Sequence, residues 1–109
     1  MQTETEIARA MTALSHPRRV RLFRILESAG KDGMGFEGLR RSAKLNDTTL
    51  RHHLRPMQAA GLVVRRRIGA TVSFRLHGQA ARRAMEEMAS RLAGLRPAHP
   101  TFAQRPPLT

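Results

Sequence analysis

Two short stretches hold the side chains best suited to chemistry. Thr48, Thr49, Arg51, His52 and Arg55 stand within one window, and Arg65, Arg66 and Arg67 follow as an uninterrupted triplet. Residues three and four apart share a helix face, so Thr48, Arg51, His52 and Arg55 would project from one side. Hydroxyl, imidazole and guanidinium groups so arranged donate hydrogen bonds and cancel negative charge. They do not assemble a nucleophile with its base. No catalytic residue is identified: cysteine is absent, and there is no Ser/His/Asp set at strand ends and no glycine-rich phosphate loop. Glu86 and Glu87 are adjacent, and neighbours on a helix point about 100° apart, so they do not converge. The chain is expected not to be an enzyme. Missing thiols also exclude disulfides, thiolate metal sites and redox switching.

Charge says what such groups would meet. Twenty Lys+Arg against eight Asp+Glu leave +12 on 109 residues, and eighteen of those cations are Arg. That density on a small body points to a polyanion, nucleic acid ahead of an anionic membrane. No apolar run approaches the ~20 residues of a membrane span, and the acidic opening is unlike a signal or transit peptide. A cytoplasmic protein with no membrane partner is expected.

Placing these groups requires a small set of elements. Thr3 or Thr5 can cap a first helix with Glu4 and Glu6 in its first turn, where the helix dipole favours negative charge. Ile7, Met11 and Leu14 form its apolar stripe. Pro17, preceded by Ser15-His16, suits the first turn of a second helix. There Leu22, Phe23, Ile25, Leu26 and Ala29 make an apolar arc, with Arg18, Arg21 and Arg24 outside it. Residues 30–35 read as a glycine-rich loop. A short helix over 36–43 turns Phe36, Leu39 and Ala43 inward.

Asn46 caps the next helix, whose Leu50, Leu54 and Met57 form a narrow stripe opposite the polar face, and Gly61 ends it. Pro56 removes the hydrogen bond to the His52 carbonyl and predicts a kink. Runs over 62–67 and 71–76 follow, the second alternating Val72, Phe74 and Leu76 with Thr71, Ser73 and Arg75. They read as a β-hairpin turning at Ile68-Gly69-Ala70. A last helix over 78–95 carries Ala81, Met85, Met88, Leu92 and Leu95. Residues 1–95 form one domain, and 96–109, with Pro97, Pro100, Pro106 and Pro107, read as a disordered tail. The fold class is mainly α with a small β-hairpin: four helices, the hairpin, then a fifth helix. This is the order of a winged helix-turn-helix, in which a helix enters the major groove and a flexible arm meets the flanking phosphates.

The stretch from Ala13 through Ser15-His16-Pro17-Arg18-Arg19-Val20 to Leu26 resembles the entry signature of ArsR-type winged-helix repressors. Leu50-Arg51-His52-His53-Leu54 followed by Ala60-Gly61-Leu62-Val63 is similar to their recognition helix and its exit into the wing. The resemblance covers about 13–76 and implies a homodimer paired through the first and last helices. Both helices have apolar stripes longer than so small a core needs, and Ile7, Met11, Leu14, Met85, Met88 and Leu92 are the interface candidates. It further implies repression of transcription from an inverted-repeat operator in double-stranded DNA. Thr48, Thr49, Arg51, His52 and Arg55 would then act from the recognition helix and Arg65, Arg66 and Arg67 from the wing.

The sequence also departs from that family. Gly35-Phe36-Glu37 occupies the positions where metal-sensing members carry cysteines. His77, Glu86, Glu87 and His99 lack the paired-histidine spacing of the other metal site, so no metal and no cofactor is expected, and the effector is unknown. His53 lies beside the apolar stripe and reads as a packed histidine, His16 as a turn residue. Ile68 and Ala70 leave the wing tip short of charge. With the proline-rich tail and its Phe102, this supports a second reading, a winged-helix adaptor that binds protein or RNA.

Overall fold

In a computed structural model, residues 3–95 are described; the expected tail over 96–109 lies outside them. The order is α1 (Glu4–Ala13), α2 (Pro17–Ala29), a 3-10 turn (Gly30–Asp32), β1 (Met34–Gly35), α3 (Phe36–Ala43), α4 (Asp47–Ala59), β2 (Val63–Ile68), β3 (Thr71–Leu76) and α5 (Gln79–Ala93). Local chemistry sets most of these boundaries. Thr3 Oγ1 accepts from Glu6 N and Glu6 Oε2 accepts from Thr3 N, each at 3.1 Å, so α1 opens with a reciprocal capping box. The His16 ring caps α2, its Nδ1 accepting from Arg18 N at 3.1 Å, with Pro17 as first helical residue. Asn46 Oδ1 accepts from Thr49 N at 2.8 Å and starts α4. That helix continues through Pro56 to Ala59.

The core is aliphatic. Leu22, Leu26, Leu39, Leu50 and Met57 are fully buried, ringed by Ala10, Ala13, Ala43, Leu45, Leu54, Leu62, Val63, Ala81, Ala84 and a single aromatic, Phe74. Small alanines on α1 and α5 let those two helices pack closely, and both sit against the rest of the cluster.

The sheet departs from the sequence expectation. It has three antiparallel strands in the order β1-β3-β2, with Met34 opposite Phe74 and Gly35 opposite Ser73. A two-residue strand is too short to display an alternating pattern, so residues 30–35 look like plain loop. β3 is consequently central, and Ser73 and Arg75, expected on a solvent face, are half-buried. The Arg75 Nε is enclosed without a hydrogen-bond partner. The hairpin also runs one residue further than expected: Ile68 pairs with Thr71, leaving Gly69-Ala70 as a two-residue turn. Gly69 has φ +61°, suited to the first position of a tight hairpin turn.

Gly33 makes β1 possible. Its φ is +73°, and a Cβ there would overlap the Phe74 carbonyl oxygen and stand 2.9 Å from the Arg75 Cβ. Gly30 has φ +70° but open space around it. Gly30→Ala should therefore cost only backbone strain, about 1–3 kcal/mol. Gly33→Ala should cost about 3 kcal/mol or more, because the strand must also move away. Urea unfolding of the two variants checks the order; equal losses would mean β1 is not held this tightly.

Candidate nucleic-acid interface

α4 divides cleanly. Leu50, His53, Leu54 and Met57 are buried, whereas Thr48, Arg51, His52 and Arg55 are exposed. Thr49 is half-buried and its N–H is committed to the Asn46 cap, which leaves it the least available of the five helix candidates. The Arg51 guanidinium carbon lies 4.5 Å from the centroid of the Phe36 ring.

Arg65, Arg66 and Arg67 are all exposed on β2, but the register separates them. Directly opposed residues share a sheet face. Arg65 opposes the buried Phe74 and Arg67 opposes Val72, which puts both on the face turned toward the core and α4. Arg66 opposes Ser73 and points the other way. Arg67 Nε donates to the Gly69 carbonyl at 3.0 Å and braces the turn. Between α4 and the wing is a cleft of about 150 Å³ lined by Arg51, Arg55, Gln58 and Arg65 over a floor of Phe36, Leu54 and Phe74. Three cations and an amide thus converge where α4 meets the hairpin. Gln58 was not among the sequence candidates; nothing short of the helix–wing geometry singles it out.

Other basic residues work inside the fold. Arg19 Nη1 donates to the Thr12 carbonyl at 2.6 Å while its Nε donates to His53 Nδ1 at 3.2 Å, joining the end of α1, α2 and α4. Arg21 Nη1 donates to the Ala43 carbonyl at 3.1 Å. Arg40 pairs with Glu37, and its Nε is 3.6 Å from Asp47, so it braces the turn between α3 and α4. Arg18 and Arg24 remain exposed, and among the described residues Glu27 makes no ion pair with any of them.

His53 is 3% exposed, with the His16 ring 4.6 Å and the His52 ring 5.2 Å away. Burial is the main cause that pushes its pKa below the ordinary value, reinforced by electrostatic repulsion from His16, Arg19, His52 and Arg18. Neutral imidazole is also what the geometry needs, since Nδ1 accepts from Arg19.

α1 carries Met11 at 43% exposure and α5 carries Leu92 at 65%; α5 ends at Ala93 rather than at 95, which leaves Leu95, at 68%, just beyond it. Ile7, Leu14, Met85 and Met88 are half-buried beside them. The apolar series along α5 therefore begins in the core at Ala81 and ends in solvent. Among the described residues no cluster of three or more His, Asp or Glu could hold a metal ion, and no helix is long and apolar enough to cross a membrane.

Comparison with known proteins agrees with this architecture. Residues 14–66 match a family described as a helix-turn-helix domain. The homodimeric winged helix-turn-helix DNA-binding domain of a possible ArsR-family transcriptional regulator from Mycobacterium bovis superposes with a TM-score of 0.62 at 24% identity, over 90% of this chain and 97% of that one. An ArsR-family transcriptional regulator gives 0.67 at 16% identity, over 88% and 98%. The transcriptional repressor BigR from Xylella fastidiosa gives 0.58 at 24% identity, over 85% and 90%. No curated protein matches by sequence. The fold is the winged helix-turn-helix.

The buried histidine gives the fold a pH signature. Its folded pKa lies below the unfolded value near 6.5, so below 6.5 the unfolded chain binds the extra proton first. Its contribution to stability is complete above that value and is lost as pH falls through the lower folded pKa. Unfolding midpoints of wild type and His53→Gln from pH 7.5 to 5 should converge toward the acidic end. Parallel curves would sink the assignment.

Proposed function

We propose that the chain, a helix-turn-helix protein in the winged fold of the ArsR-type regulators, is a sequence-specific transcriptional regulator that binds double-stranded DNA in the cytoplasm. It acts as a repressor, gripping an inverted-repeat operator as a homodimer. One observation carries this reading: the exposed face of α4, with Thr48, Arg51, His52 and Arg55, adjoins Arg65 across a cleft without a lining carboxylate.

The mechanism follows from that arrangement. Cationic side chains displace counterions condensed on the phosphates, which supplies most of the affinity and makes it fall with salt. The helix enters the major groove, where Arg can bridge guanine O6 and N7, and the Thr48 hydroxyl and His52 ring can meet other base edges. Arg65, with Arg67 beside it, holds phosphate next to the groove, and Arg66 reaches backbone from the other side of the wing.

Pairing through α1 and α5 buries Met11, Leu92 and the neighbouring Ile7, Leu14, Met85 and Met88. It sets two copies of α4 about one DNA turn (~34 Å) apart. The Mycobacterium bovis domain of the same fold is homodimeric, which supports a dimer here.

A duplex selected from a random pool, and a scrambled control, provide the test by fluorescence anisotropy across a salt series. Arg51→Ala should relax sequence preference. Arg65→Ala should weaken binding to both duplexes and lower the salt slope by about one unit, with a smaller effect for Arg66→Ala. Purely sequence-blind binding by wild type would favour the adaptor reading instead. For the dimer, Leu92→Arg places a charge in the proposed seam. Sedimentation should show monomers, and operator affinity should drop far more than scrambled-duplex affinity. An unchanged dimer would move the interface elsewhere.

A further inference from the structure

The Phe36 ring is the first residue of α3, half-buried and tilted 54° to Phe74 at a centroid distance of 6.2 Å. The short strand β1 puts it there: Met34 pairs with Phe74 immediately before the chain turns into α3. Directly against this ring lies the Arg51 guanidinium, 4.5 Å from the centroid. Arg51 makes no ion pair among the described residues. Its charged neighbours in the cleft, Arg55 one turn along α4 and Arg65 on the wing, both repel it. The negative face of the Phe36 ring is the attractive surface against which that cation rests.

We propose that Phe36 is a positioning residue for Arg51, an aromatic rest that holds the guanidinium over the recognition helix before DNA arrives. The inference rests on the reading that Arg51 contacts a base edge. A ring-face contact consumes no N–H, so the planar donor fork stays available for an acceptor pair such as guanine O6 and N7. It also narrows the rotamers of a long side chain in the free protein, so less freedom is lost on binding. Phe36 itself then need not touch DNA. Its effect should appear in discrimination between sequences rather than in general affinity.

Three variants test this: Phe36→Leu, which keeps apolar bulk without the ring's charge distribution; Phe36→Tyr, which keeps the ring; and Arg51→Ala. The first readout is the proton NMR shift of the Arg51 side chain in the free protein. Ring-current displacement should be present in wild type and Phe36→Tyr and vanish in Phe36→Leu. Absence of displacement in wild type overturns the contact itself. The second readout is the affinity ratio between the selected duplex and one with a single base pair changed at the Arg51 position. Phe36→Leu should cut that ratio about two- to five-fold, Phe36→Tyr should restore it, and Phe36→Leu should have no further effect once Arg51 is alanine.

A Phe36→Leu loss that persists in the Arg51→Ala background overturns the proposal, since the ring would then act through general packing. An intact ring-current shift together with unchanged discrimination in Arg51→Ala means that the base-reading role has failed while the contact stands. Affinity for the scrambled duplex should stay near wild type in Phe36→Leu, while its unfolding midpoint falls modestly with the loss of the ring contact to Phe74.

Discussion

Leu50, His53, Leu54 and Met57 anchor one side of α4 in the buried cluster with Leu22, Leu26 and Leu39, and that apolar seat fixes which side chains of the helix meet solvent. A helix with the opposite side so polar has little reason to stay folded on its own; tertiary burial of the narrow stripe supplies the stability. The Asn46 cap defines where the helix begins, and the Arg19–His53 hydrogen bond ties its middle to α2 and, through Thr12, to α1. Rotation of α4 about its axis would expose leucines and strand a buried imidazole. The cationic face is therefore presented in one orientation.

The second constraint is a shortage of negative charge. Eight carboxylates cannot neutralise twenty cations, and some of those that do pair lie at exposed helix positions, as Glu86 does with Arg82, where ion pairs contribute little. Inside the fold the arginines turn to other partners: carbonyls for Arg19 and Arg21, an imidazole for Arg19, an aromatic face for Arg51. Guanidinium suits this because its donors fan out in a plane and its flat faces accept stacking, neither of which an ammonium offers.

Much of the frame was readable from local signals. The Thr3 and Asn46 caps, Pro17 after His16, and the spacing of Leu50, Leu54 and Met57 each act over a few residues, so sequence alone located α1, α2, α3 and α4 closely. What escaped was non-local. β1 exists only because β3 lies beside it. Arg19 and His53 are 34 residues apart, and nothing near either predicts their hydrogen bond. The Arg65-Arg66-Arg67 triplet looks uniform until strand register sends Arg66 to one face and its neighbours to the other. Gln58 and Phe36 gain their places in the cleft only from helix–wing and helix–helix packing.

The joint between β3 and α5 is very short. β3 ends at Leu76, the His77 N–H closes the base of the hairpin by donating to the Leu62 carbonyl at 2.9 Å, and Gly78 leads at once into α5. A Cβ on Gly78 would press within 2.8 Å of Leu62 Cδ1, so this elbow is tight as well as brief. Only His77 and Gly78 separate the ribbon from the final helix. A tilt of α5 relative to the sheet would fall on those two residues, with no longer linker between them to absorb it.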